Sequence, residues 1–179
     1  MPEEVKIGDP VDLDRDPVVP AHHFHSETFR VIKHAEQGVW PFDPTKLDFP
    51  RINMPMLQAL TRVTETAGLQ LRLSRAGVIK AIANANLLDF FETKLQHTDL
   101  FKTQMSTYEC RTIWTLPQRS VLFWGTIFYG GNSQLFIRSL NWRPGNSSSP
   151  CFLESWYVDI STTTQRNRLI GVPIALINQ

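Results

Sequence analysis

The spacing of hydrophobic residues changes along the chain from a helical period to a period of two. From Ser106 onward, apolar and polar residues alternate, which is typical of strands. The alternation predicts four to five antiparallel strands, at 107–116, 120–129, 134–142, 151–161 and 168–177. The second strand contains VLFWGTIFY, which is apolar on both faces, so we expect it to be central in its sheet.

A first helix is predicted after Asn53, a residue type that favours the N-cap position. Its apolar residues recur at i, i+4, i+7 and i+11 and form one stripe, namely Met56, Leu60, Val63 and Ala67. Gly68 is expected to end this helix, because glycine adopts the left-handed conformation of a C-terminal cap. The alternating stretch LQLRLS, residues 69–74, then predicts a half-buried strand.

A second and longer helix is predicted from Ser74, its N-cap, to about His97. Its apolar stripe comprises Val78, Ala81, Ile82, Ala85, Leu88 and Leu95. Asn84 and Asn86 lie inside this stretch although asparagine is a modest helix former. Together these patterns predict an α+β fold, with two helices packed on an aromatic-rich antiparallel sheet of four to five strands.

The beginning of the chain lacks both periods. Its prolines alternate with acidic residues, as in Pro10, Asp12, Asp14, Asp16 and Pro17. Low hydrophobicity, like charges and proline oppose packing, so residues 1–20 are predicted to be a disordered acidic arm. We expect the remaining residues, 21–179, to form a single globular domain.

Two short features are predicted where the arm meets this domain. TFRVIK, residues 28–33, is expected to be a strand. The proline-broken stretch 38–50 is expected to be a loop that lies against the domain. Its anchors would be its aromatic and aliphatic residues, Trp40, Phe42, Leu47 and Phe49.

Composition narrows the class of protein. The chain has 179 residues, which suffices to bury a core without metal or disulfide staples. Its two cysteines, Cys110 and Cys151, are expected to be buried and reduced. The acidic N-terminus does not match a secretory signal, and no run approaches the roughly 18 apolar residues of a membrane span. We therefore predict an intracellular, cytoplasmic protein whose membrane contact, if any, is peripheral.

The charges are divided unevenly between the two ends. Residues 1–50 carry a net charge of −5 and residues 51–179 a net charge of +6. The densest basic stretch lies in 51–82, where five basic residues are opposed by Glu65 alone. These basic residues are Arg51, Arg62, Arg72, Arg75 and Lys80. We predict that they form a partner-binding patch for phosphates of nucleic acid or for anionic lipid headgroups.

Three histidines, His22, His23 and His25, cluster in AHHFHSETF at the end of the arm. On a strand, His23 and His25 would point the same way as Glu27, which is a minimal arrangement for binding zinc. Pro20 lies directly upstream, where chains usually turn, so a solvated linker is the favoured interpretation and no metal is predicted. Because histidine titrates near neutral pH, the three residues are candidates for a pH-sensitive junction between arm and domain.

Catalytic patterns are weak. The chain has no nucleophile elbow, phosphate loop or dinucleotide fingerprint, so no cofactor is predicted. The strand carboxylates Glu109, Glu154 and Asp159 alternate with apolar residues, and we expect Glu154 to pair across strands with Arg138. Four tryptophans lie in predicted strands and are interpreted as core residues, namely Trp114, Trp124, Trp142 and Trp156.

These observations favour a non-enzymatic structural protein. We predict that it forms homo-oligomers through its arm and binds an acidic partner, either RNA, nucleoprotein or an anionic membrane surface, through its basic region. The layout is similar to that of small viral matrix proteins, with no shared motif and an arm of opposite charge. One alternative is a ligand-binding or enzymatic α+β domain with an apolar pocket. Another is a single-stranded nucleic-acid-binding protein with exposed tryptophans beside Arg111, Arg138 or Arg143.

Overall fold

The computed structural model describes residues 6–19, 29–66, 72–75, 78–93, 120–130, 133–144 and 151–178. These residues form strands, helices and one short 3₁₀ turn at Pro44–Lys46. The strands are β1 (Pro10–Asp12), β2 (Arg30–His34), β3 (Val39–Pro41), β4 (Leu47–Asp48), β5 (Arg72–Arg75), β6 (Val78–Ile82), β7 (Ser120–Tyr129), β8 (Leu135–Pro144), β9 (Cys151–Asp159) and β10 (Leu176–Asn178). The helices are α1 (Met54–Glu65), α2 (Ala85–Thr93) and α3 (Thr163–Asn167).

The strands form two four-stranded antiparallel sheets and a two-stranded ribbon. The first sheet has the order β2-β7-β8-β9 and the second has the order β4-β10-β6-β5, while β1 and β3 form the ribbon. The prediction of an α+β fold with antiparallel pairing is confirmed. The described residues contain three α-helices where two were predicted.

Strand β7 lies at the centre of the core, and both of its faces are buried. Val121 and Phe123 belong to a cluster that also includes residues of α2 and of the ribbon. Leu122 and Trp124 face the other way, into a cluster that includes residues of α1 and of the segment after α3. The central position predicted for this strand is confirmed, since it lies between β2 and β8.

The two sheets approach each other closely at Gly125, in the middle of β7. Its N–H donates to the carbonyl of Ala83 at 3.0 Å, and its own carbonyl accepts from the N–H of Ala35 at 2.7 Å. A Cβ atom at this position would lie 2.7 Å from the carbonyl oxygen of Ile82. Only glycine therefore allows β7 to lie against the chain between β6 and α2.

The first helix was predicted correctly at its start and too long at its end. The side chain of Asn53 accepts from the N–H of Met56 at 2.9 Å, as an N-cap does. The helix ends at Glu65, because Thr66 adopts an extended conformation. Lys33, on β2, also donates to the carbonyls of Val63 and Thr64 at this end.

The predicted helix from Ser74 to His97 is wrong over its first half. Residues 78–82 form β6, which pairs with β5 on one side and with β10 on the other. Among the described residues of this stretch, Ala85–Thr93 is the helical part, and residues 94–97 lie outside the described residues. The apolar stripe assigned to the helix was compatible with a strand buried on both faces, as Ala81 and Ile82 are. Pairing with two neighbouring strands decided between these possibilities.

The remaining predicted strands and the predicted loop differ less from the structure. The predicted strands 120–129, 134–142 and 151–161 correspond to β7, β8 and β9. In place of the predicted strand 168–177, the chain forms a turn directly after α3 and then β10, which begins at Leu176. Trp40 and Phe42 anchor residues 38–50 in the core, as expected, but this predicted loop contains β3, the 3₁₀ turn and β4. The predicted strand 107–116 lies outside the described residues.

The prediction of a disordered arm does not hold for residues 6–15. Residues 10–12 form β1, and Val11 and Leu13 are buried in the core. The two apolar side chains are two positions apart, so a strand presents both to the same face. Their burial against Trp40 and Phe42 outweighs the like charges around them.

Candidate functional site

The most distinctive polar arrangement holds residues 6–15, which we call the N-terminal segment. Three side chains of the body donate hydrogen bonds to its backbone carbonyls. The Nδ2 of Asn84 lies 2.8 Å and the Nε2 of His34 lies 2.9 Å from the carbonyl oxygen of Leu13. The Nδ2 of Asn86 lies 2.6 Å from the carbonyl oxygen of Arg15. The segment is therefore recognised through its backbone, as a bound peptide would be.

The hydrogen bonds of His34 define its tautomer. A carbonyl oxygen can only accept, so the bond to Leu13 requires a proton on Nε2. The other ring nitrogen, Nδ1, lies 2.8 Å from the hydroxyl of Thr126, which accepts from the N–H of Ala85 at 2.9 Å. The hydroxyl can therefore donate its own proton to Nδ1. This network fits the neutral imidazole.

Burial lowers the pKa of His34 below its usual value of 6.5. The opposing contributions come from the bond to the Leu13 carbonyl and from three acidic neighbours, Glu36, Asp14 and Asp16. Because desolvation is the larger effect, the ring stays neutral at pH 7 and keeps the tautomer that holds the segment.

Acidic side chains of the segment complete the docking. One carboxylate oxygen of Asp14 accepts from the backbone N–H groups of Gln37 and Gly38, each at 2.7 Å. Gly38 has φ +75°, a conformation that favours glycine. Its carbonyl accepts from the N–H of Leu13 at 3.0 Å. The carboxylate of Asp12 accepts from the N–H groups of Asp14 and Arg15, which closes a turn.

The segment also pairs as a strand. In the ribbon, Pro10, Val11 and Asp12 lie opposite residues of β3, in the register Pro10↔Pro41, Val11↔Trp40 and Asp12↔Val39. Val11 and Leu13 are buried in the same cluster as Leu87 and Phe91 of α2. Burying the two aliphatic side chains of the segment contributes about 1.5–3 kcal/mol each. We refer to β3 with His34, Gln37, Gly38, Asn84 and Asn86 as the acceptor site.

The local sequence explains why the two asparagines are in place. The Oδ1 of Asn84 accepts from the N–H groups of Asn86 and Leu87, at 3.1 and 3.4 Å, so Asn84 occupies the N-cap position of α2. The same side chain turns its Nδ2 toward the carbonyls of Leu13 and Ala35. One residue thus starts the helix and binds the segment.

Two acceptors in this site lack a partner among the described residues. They are the Oδ1 of Asn86 and the Oε1 of Gln37, and both atoms are buried. Asn86 is 2% exposed and uses its Nδ2 on the carbonyls of Asp12 and Arg15. An unpaired buried polar group costs about 1–3 kcal/mol. The docked segment is consequently less stable than a fully paired one.

A buried ion pair forms a second connection to the segment. Arg138, on β8, is 2% exposed and donates to Asp89 at 2.5 Å and to Glu92 at 3.0 Å. Asp89 also lies 3.6 Å from the guanidinium of Arg15, which is an ion pair too long for a hydrogen bond. Burial raises the pKa of Tyr157, which lies opposite Arg138, to about 12. These charges link α2, the first sheet and the segment.

The expected cross-strand pair of Glu154 with Arg138 is wrong. The register places Glu154 opposite Asn141 and Arg138 opposite Tyr157. The strands were predicted without a register, so the residue opposite Arg138 was not known. Its actual partner, Asp89, lies on α2 and not on a neighbouring strand. Trp124 is a core residue, as predicted, and its Nε1 donates to the hydroxyl of Thr64 at 2.9 Å.

The five residues of the predicted basic patch are placed as follows. Arg51 and Arg62 are exposed, before and near the end of α1. Arg72 and Arg75 lie on β5, the edge strand of the second sheet. Lys80 forms a salt bridge with Asp48 of β4, so its charge is neutralised locally. That the other four form one binding surface stays a prediction.

The predicted pH-sensitive histidines, His22, His23 and His25, lie outside the described residues, as do Glu109 and Trp114. The sequence reasoning missed His34 as the residue that contacts the segment. It noted Asn84 and Asn86 only as modest helix formers. Two amides within an otherwise apolar stretch were the available signal, because such groups are buried only where they find hydrogen-bond partners.

No family model, curated protein or solved structure matches this chain. Within the described ranges, no group of three His, Cys, Asp or Glu side chains is placed to hold a metal ion. The helices of the described part are all too short or too polar to cross a membrane. The α+β fold and the acceptor site are therefore the basis for a functional proposal.

Proposed function

We propose that the protein is a non-enzymatic assembly protein, which self-associates through its N-terminal segment and binds an acidic partner through its basic body. The observation that carries the proposal is the docking of the segment by side chains that donate to its backbone carbonyls. All of these contacts are non-covalent, and they join residues far apart in the sequence. A segment bound in this way can leave its site and be replaced.

The buried polar groups support a structural role over a catalytic one. Both ring nitrogens of His34 are engaged with atoms of the protein. Asp89 is paired with Arg138 inside the fold. A buried Asp or His was the feature that would favour the enzymatic alternative, but both ring nitrogens of His34 are engaged and Asp89 is held in an ion pair with Arg138. A general base must instead face a substrate within hydrogen-bonding reach.

The alternative of a single-stranded nucleic-acid-binding sheet has less support. It requires exposed aromatic side chains that stack on bases next to arginine. Trp124 is fully buried, and Arg138 is enclosed by Asp89 and Glu92. These two residues therefore cannot form such a surface. A matrix-type role, by contrast, needs only self-association and an acidic partner.

Self-association is tested by light scattering coupled to size-exclusion chromatography over a range of protein concentrations. We expect a mass that rises above the 20.5 kDa of a single chain. The mass should return to that of one chain at the lowest concentrations, because association follows mass action. A monomer mass at every concentration contradicts this part of the proposal.

The acidic partner is tested with two probes, a labelled single-stranded RNA and vesicles containing phosphatidylserine. The double variant R72E/R75E should weaken binding to whichever probe the wild type binds, most clearly at low salt. The variant K46E/R168E is the matched control, since it changes the net charge equally at two exposed basic residues outside both the basic region and the N-terminal segment. Equal binding by both variants and the wild type rules out the basic region as the site.

A further inference from the structure

We infer that copies of the protein associate head to tail, through two exposed faces that lie on opposite sides of one molecule. The inference rests on the proposed function and names the surfaces through which self-association occurs. It leaves the N-terminal segment docked in the acceptor site of its own chain. The observations that carry it are the side chains of the two faces, their charge, and their placement on either side of β7.

The first face is the outer side of the ribbon. Val11 and Trp40 point into the core, so the residues that alternate with them on β1 and β3 point outward. Val39 is 63% exposed, and Ile7, beside the end of the ribbon, is 62% exposed. We call this surface the ribbon face, and it comprises Ile7, Pro10, Asp12, Val39 and Pro41.

The prolines of the ribbon face disfavour one mode of contact. Pro10 and Pro41 lie opposite each other, and neither has a backbone N–H. The N–H of Phe42 donates to the carbonyl of Asp9 at 2.8 Å, so the two proline nitrogens point toward the outer edges of the ribbon. An added strand needs donors at those edges. The ribbon face therefore meets a partner through its side chains rather than through its backbone.

The second face surrounds the start of α1. Met54, the first residue of the helix, is 49% exposed, and Ile170 is 41% exposed. Two hydrogen bonds join the chain next to them. The N–H of Gly171 donates to the carbonyl of Ile52 at 2.7 Å, and the N–H of Ile52 donates to the carbonyl of Val172 at 2.9 Å. We call this surface the helix face, and it comprises Arg51, Met54, Arg62 and Ile170.

The two faces differ in charge. Segments 6–19 and 35–46, which form and surround the ribbon face, contain six acidic and three basic residues, a net charge of −3. On the helix face, Arg51 and Arg62 are both exposed. Arg62 follows Met54 by eight residues, which places both on the same side of α1. The acidic residue of this helix, Glu65, accepts from Arg166 at 2.9 Å, so its charge is balanced.

The two faces point away from opposite sides of β7. Val11 and Trp40, beneath the ribbon face, belong to the core cluster that contains Phe123. Leu57, beneath the helix face, belongs to the cluster that contains Trp124. Successive residues of a strand point to opposite faces of its sheet, so β7 separates the two clusters. One molecule therefore cannot bring its own two faces together.

These features favour a second copy of the chain as the partner of each face. The ribbon face presents exposed aliphatic side chains in acidic surroundings, and the helix face presents exposed aliphatic side chains beside arginine. A symmetric contact of either face with itself would oppose like charges, which is unfavourable. Contact between the unlike faces is heterologous, and because they lie on opposite sides of the molecule, it continues into an open chain of copies.

The inference is tested with two variants of the full chain, each of which blocks one face. The variant I7K/V39K places positive charge on the ribbon face, and M54S/I170S removes the apolar side chains of the helix face. All four side chains are exposed, so the substitutions leave the core intact. We expect each variant to raise the concentration at which half of the chains associate by at least about tenfold, measured by light scattering coupled to size-exclusion chromatography.

A mixture of the two variants tests the head-to-tail arrangement directly. One variant keeps an intact helix face and the other keeps an intact ribbon face. The mixture should therefore form a one-to-one dimer of twice the 20.5 kDa chain mass and grow no further, whereas the wild type forms larger species. Different isotope labels on the two variants identify the mixed dimer by native mass spectrometry. The matched control is V18K/V19K, at exposed valines outside both faces, which should associate like the wild type.

The other outcomes overturn the inference. If either variant associates as well as an associating wild type, the face it blocks is not used, and self-association stands through another surface. If the separate variants and their mixture are all monomeric, the head-to-tail contact is refuted while self-association stands. A wild type that is monomeric at every concentration refutes both proposals. Raising the salt concentration from about 0.05 to 0.5 M should also weaken wild-type association, because salt screens the attraction between unlike faces. Association that does not respond to salt contradicts the charge complementarity.

Discussion

The Nε2 of His34 donates a hydrogen bond of 2.9 Å to the carbonyl oxygen of Leu13, a residue 21 positions earlier in the chain. This bond joins the first sheet to a segment whose sequence is typical of disorder. It ties the docking of that segment to the protonation of one side chain. The following predictions test this relationship and the packing that supports it.

Stability should fall on acidification through His34. Because burial lowers its pKa below 6.5, the unfolded chain takes up a proton at this residue at a higher pH than the folded one. The contribution of neutral His34 to the free energy of unfolding is then fully present above about pH 6.5. It is lost as the pH falls through the pKa of the folded state. The variant H34Q keeps a donor for the Leu13 carbonyl and does not titrate.

We therefore expect urea unfolding to show that the stability advantage of the wild type over H34Q decreases between about pH 7.5 and 5.5, the range in which histidine becomes charged. The comparison cancels the contributions of every other group, because both proteins retain them. A difference that does not vary with pH would show that His34 does not titrate differently on unfolding.

Asn84 should contribute much more to stability than an ordinary helix cap. Its replacement by alanine removes the cap of α2, which costs about 0.5–2 kcal/mol. It also removes the donor to the carbonyl of Ala35, at about 1–3 kcal/mol for a group left unpaired, and one of the two donors to the carbonyl of Leu13, which keeps His34. The matched control is N53A, which removes only the exposed cap of α1. Chemical denaturation that gave equal losses for N84A and N53A would contradict the second role of Asn84.

Replacing Gly125 by alanine should destabilise the protein strongly. The added Cβ would lie 2.7 Å from the carbonyl of Ile82 and 2.8 Å from that of Ala83, and both are backbone atoms. Overpacking of this kind costs about 1–3 kcal/mol or more. In G130A the nearest atom belongs to the ring of Phe136, which can turn. We expect a clearly lower midpoint of thermal unfolding for G125A than for G130A.

The buried pair of Arg138 and Asp89 should be costly to break from one side. Among the described residues, the variant R138M leaves Asp89 with the guanidinium of Arg15 alone, at 3.6 Å. Breaking a buried pair costs about 3–5 kcal/mol, and removing both charges in R138M/D89L should recover part of that loss. The control K80M breaks the salt bridge to Asp48, which is 40% exposed, and should change stability by at most about 1 kcal/mol. A larger loss in K80M than in R138M would contradict this ranking.

Much of the fold could be predicted, because at most elements the local sequence pattern and the tertiary contacts favour the same structure. Asn53 caps an amphipathic helix, and the doubly apolar strand 120–129 became the centre of a sheet. The stretch 78–82 could not be assigned, because an apolar run satisfies a helix and a doubly buried strand equally well. Pairing with β10, nearly 100 residues later, made it a strand.

The sequence by itself determined the α+β class, the N-cap of the first helix at Asn53, the polarity of the central strand, and the charge difference between the two ends. Each of these depends on residues close together in the chain. The tertiary structure decided which residues meet, and so it decided the acceptor site. His34, Asn84 and Asn86 gain their roles only when the carbonyls of Leu13 and Arg15 lie beside them. Such long-range pairing leaves no local pattern, since the hydrogen bonds of a buried amide are set by whatever the fold places next to it.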